Sequence, residues 1–188
     1  MTKPNDSQNL FQDWPNKSFT QYSLCRHWRE TVRVGRSKVT CSGSKSWSST
    51  TMEPYPDFGV YLATQWKLDL GMYWTNGAYV KRIAQNRPYP AIIVDVPDMK
   101  APPVAVLNTL VEIIVSKMKQ GKLVDIGCIA GHGRTGTLLA CLIARKEHLD
   151  GRAAIAAARE RYCPMAVENR EQEQAVSEYV NLYLRNRR

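Results

Sequence analysis

A cysteine and an arginine that open and close one short segment are the residues best placed to do chemistry together. The segment is followed by Thr135 and Gly136 and reads Cys128-Ile129-Ala130-Gly131-His132-Gly133-Arg134. Its small residues leave the backbone N–H groups unobstructed, so that several of them can converge on one anion. Arg134 can add a bidentate guanidinium fork for two phosphate oxygens, and the same positive field favours the nucleophilic thiolate of Cys128. The segment therefore predicts cysteinyl-phosphate chemistry that needs no metal and no other cofactor.

The elements that must position this segment are a strand before it and a helix after it. Short apolar runs alternate with helical patterns from residue 55 onwards. Periodicity, prolines and glycines predict strands over 58–62, 91–94 and 123–126, and helices over 76–86, 104–118, 135–148, 152–161 and 168–184. This alternation predicts an α/β fold with a central, mostly parallel sheet flanked by helices on both faces.

The first fifty residues are mostly irregular in pattern. Residues 31–34 and 38–40 flank a turn at 35–37 and predict a small hairpin. Serines and threonines dominate residues 40–51, which predicts a loop. We therefore divide the chain into a basic N-terminal extension, residues 1–54, that precedes the core or packs on it, and a catalytic domain, residues 55–188.

The segment from Cys128 to Gly136 resembles the signature loop of the Cys-x5-Arg phosphatases, the protein tyrosine and dual-specificity phosphatases. The ending Arg-Thr-Gly is usual in that superfamily, and the form Gly-His-Gly-Arg-Thr-Gly is most similar to its small bacterial and phage members. Gly127 stands where the superfamily usually has a histidine. The resemblance covers residues 55–185. It implies a phosphatase-like fold and hydrolysis of phosphate monoesters, protein phosphotyrosine first, with or without dual specificity.

Two further segments are similar to parts of that superfamily. Val96-Pro97-Asp98 with Pro102 resembles its mobile acid loop, Val96 replacing tryptophan, which implies that Asp98 is the general acid. Asp95, at the end of the same predicted strand, stays open as the alternative acid, and either aspartate is also a reasonable turn residue. The segment 163–172 resembles a late segment of that superfamily whose glutamine positions the hydrolytic water. Gln172 would take that role; the alternative is that Gln172 is an ordinary exposed helix residue.

The remaining residues of the loop receive roles from the same resemblance. The backbone amides of residues 129–134 and the Arg134 guanidinium would bind phosphate, with the amides contributed by Ile129, Ala130, Gly131, His132, Gly133 and Arg134. Thr135 would donate a hydrogen bond to the Cys128 sulfur, cap the helix, or do both. His132 is either a substrate contact or a solvent-facing loop residue.

Charge and cysteine content bear on partners and location. The net charge is +9, and the excess of basic residues is concentrated in residues 1–50 and at the C-terminal end. A phosphorylated protein is the expected substrate, and a nucleic acid bound through the basic termini stays open. Five cysteines without a CxxC pair, no apolar run long enough to span a membrane and no apolar leader predict a cytoplasmic protein, in the host cytoplasm if phage-encoded.

Rival interpretations of the same residues remain. Gly131, Gly133 and Gly136 satisfy a dinucleotide fingerprint, but residues 128–130 separate them from the strand and the expected acidic residue is missing. An RNA 5′-phosphatase or triphosphatase, a phosphoinositide phosphatase and a catalytically silent phosphate-binding module all fit the same loop. Cys25, His27 and Cys41 are potential metal ligands, but their spacing matches no zinc pattern.

Overall fold

Apolar runs form the strands over 58–62 and 91–94, and the segments with helical spacing of apolar residues form helices. The computed structural model describes residues 27–46, 53–63 and 89–185. The strands are β1 Glu30–Val34, β2 Ser37–Gly43, β3 Phe58–Leu62, β4 Ala91–Val94 and β5 Val124–Cys128. The helices are α1 Val104–Lys119, α2 Gly133–Glu147, α3 Gly151–Arg161 and α4 Arg170–Arg185. The helix predicted over 76–86 lies outside the described residues.

The described strands form one sheet in the order β1-β2-β5-β3-β4. β5 pairs in parallel with both β2 and β3, β3 pairs in parallel with β4, and only the β1–β2 pair is antiparallel. The prediction of a mostly parallel sheet is confirmed. Parallel pairing brings the carboxyl ends of β4 and β5 to the same edge, so that the segments following Val94 and Cys128 meet there.

The sheet is buried on both faces, because successive side chains of its central strands alternate between two apolar clusters. Val60 and Leu62 belong to the large core beneath the helices, whereas Tyr61 belongs to a smaller cluster with Ala91 and Ile93. Continuous apolar runs are typical of such doubly buried parallel strands. The burial of alternate residues on both sides explains why β3 and β4 are apolar throughout.

The four described helices confirm the predicted helical segments, with ends displaced by no more than two residues. α2 is the central one, with every residue from Gly133 to Ala144 buried, and it contacts α1, α3 and α4 as well as β5. It begins at Gly133, two residues ahead of the predicted start, so that Arg134 lies in its first turn. No helix in the described ranges has both the length and the apolar character needed to cross a membrane.

The predicted hairpin is present as β1 and β2, and β2 pairs with β5, so residues of the segment 1–54 contribute two strands to the central sheet. The loop expected over 40–51 is wrong for residues 40–43, which complete β2. These residues were expected in a loop because they are polar. They are buried instead because the hydroxyls of Thr40 and Ser42 donate hydrogen bonds to the buried carboxylate of Asp125.

Candidate active site

The loop between β5 and α2, residues 129–132, is called the phosphate loop below, and hydrogen bonds accepted by its carbonyl groups hold it in shape. The Ile129 carbonyl accepts hydrogen bonds from the Ser44 backbone N–H at 3.0 Å and from the Ser44 hydroxyl at 3.1 Å. The Gly131 carbonyl accepts one from the Tyr162 hydroxyl at 2.5 Å. Because a trans peptide is planar, the N–H that follows each carbonyl points to the opposite side. The N–H groups of Ala130 and His132 are thereby turned away from these anchors, which leaves them available to a ligand.

Cys128 is the last residue of β5 and is buried. The Gly131 N–H donates a hydrogen bond to the Cys128 sulfur at 3.2 Å. Gly131 has a φ of +84°, a backbone conformation that only glycine adopts without strain. The positive end of the α2 dipole lies just beyond the loop. Both the N–H and the dipole stabilise a thiolate. In this chain, which has Gly127 ahead of the cysteine, a loop amide is therefore the group that contacts the sulfur.

Arg134 connects the loop to the segment after β4. Its side chain is 3% exposed, and its Nη1 donates to the Val96 carbonyl at 2.7 Å while its Nη2 donates to Asp98 Oδ1 at 2.8 Å. The Asp98 side chain is 66% exposed, so one face of its carboxyl is open to solvent. Asp95 makes no such contact, since its buried Oδ1 has no hydrogen-bond partner in the described ranges. Of the two candidate acids, the structure brings Asp98 to Arg134.

Gln172 lies in the first turn of α4, and it is fully buried rather than an exposed helix residue. Its Oε1 accepts a hydrogen bond from the Glu168 N–H at 2.7 Å, and its Nε2 faces the Lys100 carbonyl at 3.5 Å. A methyl group on Gly133 would lie 2.7 Å from the Gln172 amide. Gln172 therefore touches the phosphate loop on one side and the segment after Asp98 on the other.

Glu168 is a residue of the site that sequence reasoning missed. Its Oε2 accepts a hydrogen bond from the Gly133 N–H at 2.9 Å, at the start of α2. One of the amides expected to bind phosphate is therefore occupied by an internal carboxylate. The position has no distinctive spacing in the sequence, because the contact joins residues 35 positions apart.

Thr135 and His132 are both buried. The residue that caps α2 is His132, without a side-chain capping bond, so Thr135 is not the cap. The Thr135 Oγ1 is buried and has no hydrogen-bond partner among the residues described. The His132 ring packs edge-on against His27, with 4.5 Å between centroids, and so does not face solvent.

A buried carboxyl supports β5 from the other face of the sheet. Asp125 accepts hydrogen bonds at 2.8 Å from the hydroxyls of Thr40, Ser42 and Tyr61. Burial raises the pKa of Asp125 above its usual range, although the three hydroxyls act to lower it. Burial also raises the pKa of Tyr61 well above its ordinary value, so its hydroxyl stays protonated as a donor. The strand that carries Cys128 is thus fixed by polar bonds to both neighbouring strands.

Comparison with known proteins identifies the class of this site. Residues 79–148, which include Asp98, Cys128 and Arg134, match a family described as polymorphic toxin system, DSP-PTPase phosphatase. Two uncharacterized proteins of Methanocaldococcus jannaschii are 39% identical to this chain over 94 and 92 residues, or 50% and 48% of its length. The chain covers 57% and 60% of those two relatives.

Solved structures agree with the family match. Tk-PTP in its active form is 25% identical, with a TM-score of 0.55 over 67% of this chain and 79% of that one. PTPMT1 in complex with PI(5)P has a TM-score of 0.67 at 13% identity, over 86% and 99%. Human DUSP28 has a TM-score of 0.60 at 14% identity, over 82% and 95%.

The chain has the fold of the protein tyrosine and dual-specificity phosphatases. The segment that holds the phosphate loop is similar to the DSP-PTPase phosphatases of polymorphic toxin systems. The resemblance inferred from the signature loop is confirmed.

Proposed function

We propose that the protein hydrolyses phosphate monoesters, most readily phosphotyrosine in cytoplasmic proteins, through a cysteinyl-phosphate intermediate. The observation that carries this proposal is the 2.8 Å ion pair between Arg134 and Asp98. This ion pair connects the anion-binding loop, which follows the nucleophile Cys128, to the carboxyl group of Asp98 on a second loop. Those are the three parts that two-step phosphoryl transfer through cysteine requires.

In the first step, the Cys128 thiolate attacks phosphorus and the bond between phosphorus and the leaving oxygen breaks. Protonated Asp98 gives its proton to that oxygen. The loop amides of residues 129–134, apart from that of Gly133, which bonds to Glu168, and the Arg134 guanidinium bind the other three oxygens and stabilise their charge in the transition state. A phosphate that takes the Arg134 Nη2 displaces the Asp98 carboxyl from it, which releases that carboxyl beside the leaving group.

In the second step, water attacks phosphorus and the bond between sulfur and phosphorus breaks. Asp98, now ionised, takes a proton from the water, and inorganic phosphate leaves. Gln172, between the two loops, positions the water through its amide. The unpartnered Thr135 hydroxyl donates a hydrogen bond to the departing Cys128 thiolate.

The same loop geometry suits other phosphate monoesters. A phosphoinositide substrate is the second candidate, favoured by the fold's likeness to PTPMT1, whose structure was solved with PI(5)P. RNA 5′-phosphates and a silent binding module remain rivals without an observation of their own in the described residues. Comparing turnover of a phosphotyrosine peptide, a phosphoinositide and a 5′-triphosphorylated RNA ranks these substrates directly.

The mechanism is tested by hydrolysis of a small aryl phosphate in EDTA. Wild type should turn over, Cys128→Ser should lose activity altogether, and Asp98→Asn should lose roughly a hundredfold or more. Asp95→Asn is the matched control and should stay close to wild type. Mass spectrometry of acid-quenched enzyme should find a phosphate adduct on Cys128. Turnover retained in Cys128→Ser refutes the proposal, and vanadate binding without turnover in wild type supports the silent module instead.

A further inference from the structure

Behind the phosphate loop, two histidines and a cysteine from three separate segments converge. His27 precedes β1, His132 belongs to the loop, and Cys163 follows α3. All three are buried, and one ligand atom from each lies within 4.8 Å of the others. His27 is the residue that packs behind Gly131, where an added methyl group would lie 2.7 Å from the His27 Cβ.

Both imidazole rings have one nitrogen that the described protein leaves without a partner. The Nε2 atoms of His27 and His132 are buried and make no hydrogen bond with the described residues. A polar atom withdrawn from water without a partner is unfavourable, so two such atoms in neighbouring rings call for an explanation. A bound cation that accepts both nitrogen lone pairs supplies one.

The other nitrogen of each ring faces a carboxylate. His27 Nδ1 lies 2.8 Å from Glu30 Oε1, and His132 Nδ1 lies 3.8 Å from Glu168 Oε1. A carboxylate beside Nδ1 favours the imidazole tautomer with its proton on Nδ1, which leaves the Nε2 lone pair able to bind a cation. Metal-binding histidines are oriented by carboxylates in this same way.

We propose that His27, His132 and Cys163 bind a Zn²⁺ ion. Two imidazoles and a thiolate are a donor set that suits zinc, with the fourth position left to water. Zinc bonds of about 2.0–2.3 Å place tetrahedral ligands about 3.4–3.8 Å apart, so a contraction of about 1 Å completes the site. Glu30 and Glu168 add negative charge close to the ion.

The ion would fasten the phosphate loop to the two segments that flank it. Tyr162, next to Cys163, packs its ring against His27 at 4.8 Å and donates its hydroxyl to the Gly131 carbonyl. Two of the proposed zinc ligands, His27 and Cys163, thus adjoin the residue that already fixes the loop. No short sequence motif marks the site, because its ligands are widely separated in the chain.

The test uses the full chain with Cys128→Ser as background, which removes the nucleophilic thiol as a competing ligand. Co²⁺ added to the metal-free protein should bind once per chain and give a thiolate-to-cobalt charge-transfer band. Cys163→Ser should abolish that band, whereas Cys141→Ser, which changes a buried cysteine within α2, should keep it. Zn²⁺ should raise the melting temperature of the background protein and leave that of Cys163→Ser unchanged.

Two further variants separate metal binding from a structural role. Glu30→Gln should weaken Zn²⁺ binding about 10–100-fold in a chelator competition, as loss of an outer carboxylate does. His27→Gln should abolish stoichiometric binding, and it serves in place of Cys163→Ser if that variant fails to fold. The proposal is overturned if cobalt binds only when Cys128 is present, or if neither ligand variant changes the affinity. None of these readouts depends on phosphatase activity.

Discussion

The Tyr162 hydroxyl donates a 2.5 Å hydrogen bond to the carbonyl of Gly131, so a residue at the end of α3 sets the direction of the phosphate loop. The contact is buried, and burial raises the pKa of Tyr162 far above its ordinary value. The raised pKa keeps this hydroxyl protonated, so it serves as a hydrogen-bond donor to the loop. Loop geometry is maintained by a group that does not touch the substrate.

Replacing Tyr162 by phenylalanine should loosen the loop. The Gly131 carbonyl would lose its donor, at a cost of about 1–3 kcal/mol in unfolding free energy. A loop displaced by even about 1 Å should lower kcat/KM by up to about a hundredfold. Urea denaturation and aryl phosphate kinetics measure the two effects. Tyr183→Phe, in α4, is the control, and equal kinetic losses in both variants would contradict a specific role for Tyr162.

Replacing Glu168 by glutamine should strengthen anion binding at the loop. The carboxylate competes with phosphate for the Gly133 N–H, and its removal takes one negative charge away from the N-terminus of α2. The inhibition constant of inorganic phosphate, measured in EDTA, should fall about two- to fivefold, which corresponds to the usual worth of a charge at a helix end.

Glu171→Gln is the matched control for that experiment. Glu171 pairs with Lys100 at the surface, and its carboxylate makes no contact with the phosphate loop in the described structure. Its loss should leave phosphate inhibition unchanged. Weaker inhibition by phosphate in Glu168→Gln would mean that Glu168 supports the loop rather than competing with the ligand.

A third prediction concerns pH and Glu147, at the end of α2. Its carboxylate accepts hydrogen bonds from Arg161 at 2.6 and 2.9 Å and from the Gly35 N–H at 2.8 Å. The hydrogen bond from Arg161 is the main cause that lowers the pKa of Glu147 below its ordinary 4.5. A lowered acid pKa stabilises the fold above pH 4.5, and this stabilisation disappears as the pH falls through the folded-state value.

Glu147→Gln should therefore cost about 1–2 kcal/mol at pH 7, since the group is only 20% exposed and its bonds are charge-assisted. The difference from wild type should shrink towards about pH 3. Denaturant unfolding at the two pH values measures it. Glu112→Gln removes a more exposed pair with Arg145 and should cost less at pH 7. A difference for Glu147→Gln that is independent of pH would rule out the ion pair as its origin.

Sequence patterns predicted the parts of the fold that depend on local periodicity. The strands over 58–62 and 91–94 and the apolar helix after the loop follow from runs and spacings within a few residues. Residues 40–43 were not predicted as a strand, because the hydroxyls of Thr40 and Ser42 bond to Asp125, which lies 85 and 83 positions away in the chain. A pattern of hydroxyl residues cannot distinguish a loop from a strand beside a buried carboxylate.

The candidate site divides in the same way. Cys128 and Arg134 begin and end one short segment, and their spacing is visible in the sequence. Asp98 was predicted from the resemblance of its segment to the acid loop of the phosphatases. Tyr162 and Glu168 act on the loop from the other end of the chain, where nothing in their spacing marks them. Contacts across such distances depend on how α3 and α4 pack on α2, and local sequence does not encode that packing directly.

The strand order has a consequence for how the chain is made. Among the described strands, β1 pairs with β2 and β3 with β4, and these two pairs are joined only through β5. During synthesis both pairs must wait, with open edges, until residues 124–128 leave the ribosome. The sheet closes late and through contacts distant in sequence, which is typical of slow folding. The step that closes it also delivers Cys128, so a nascent chain has no nucleophile in place before its sheet is complete.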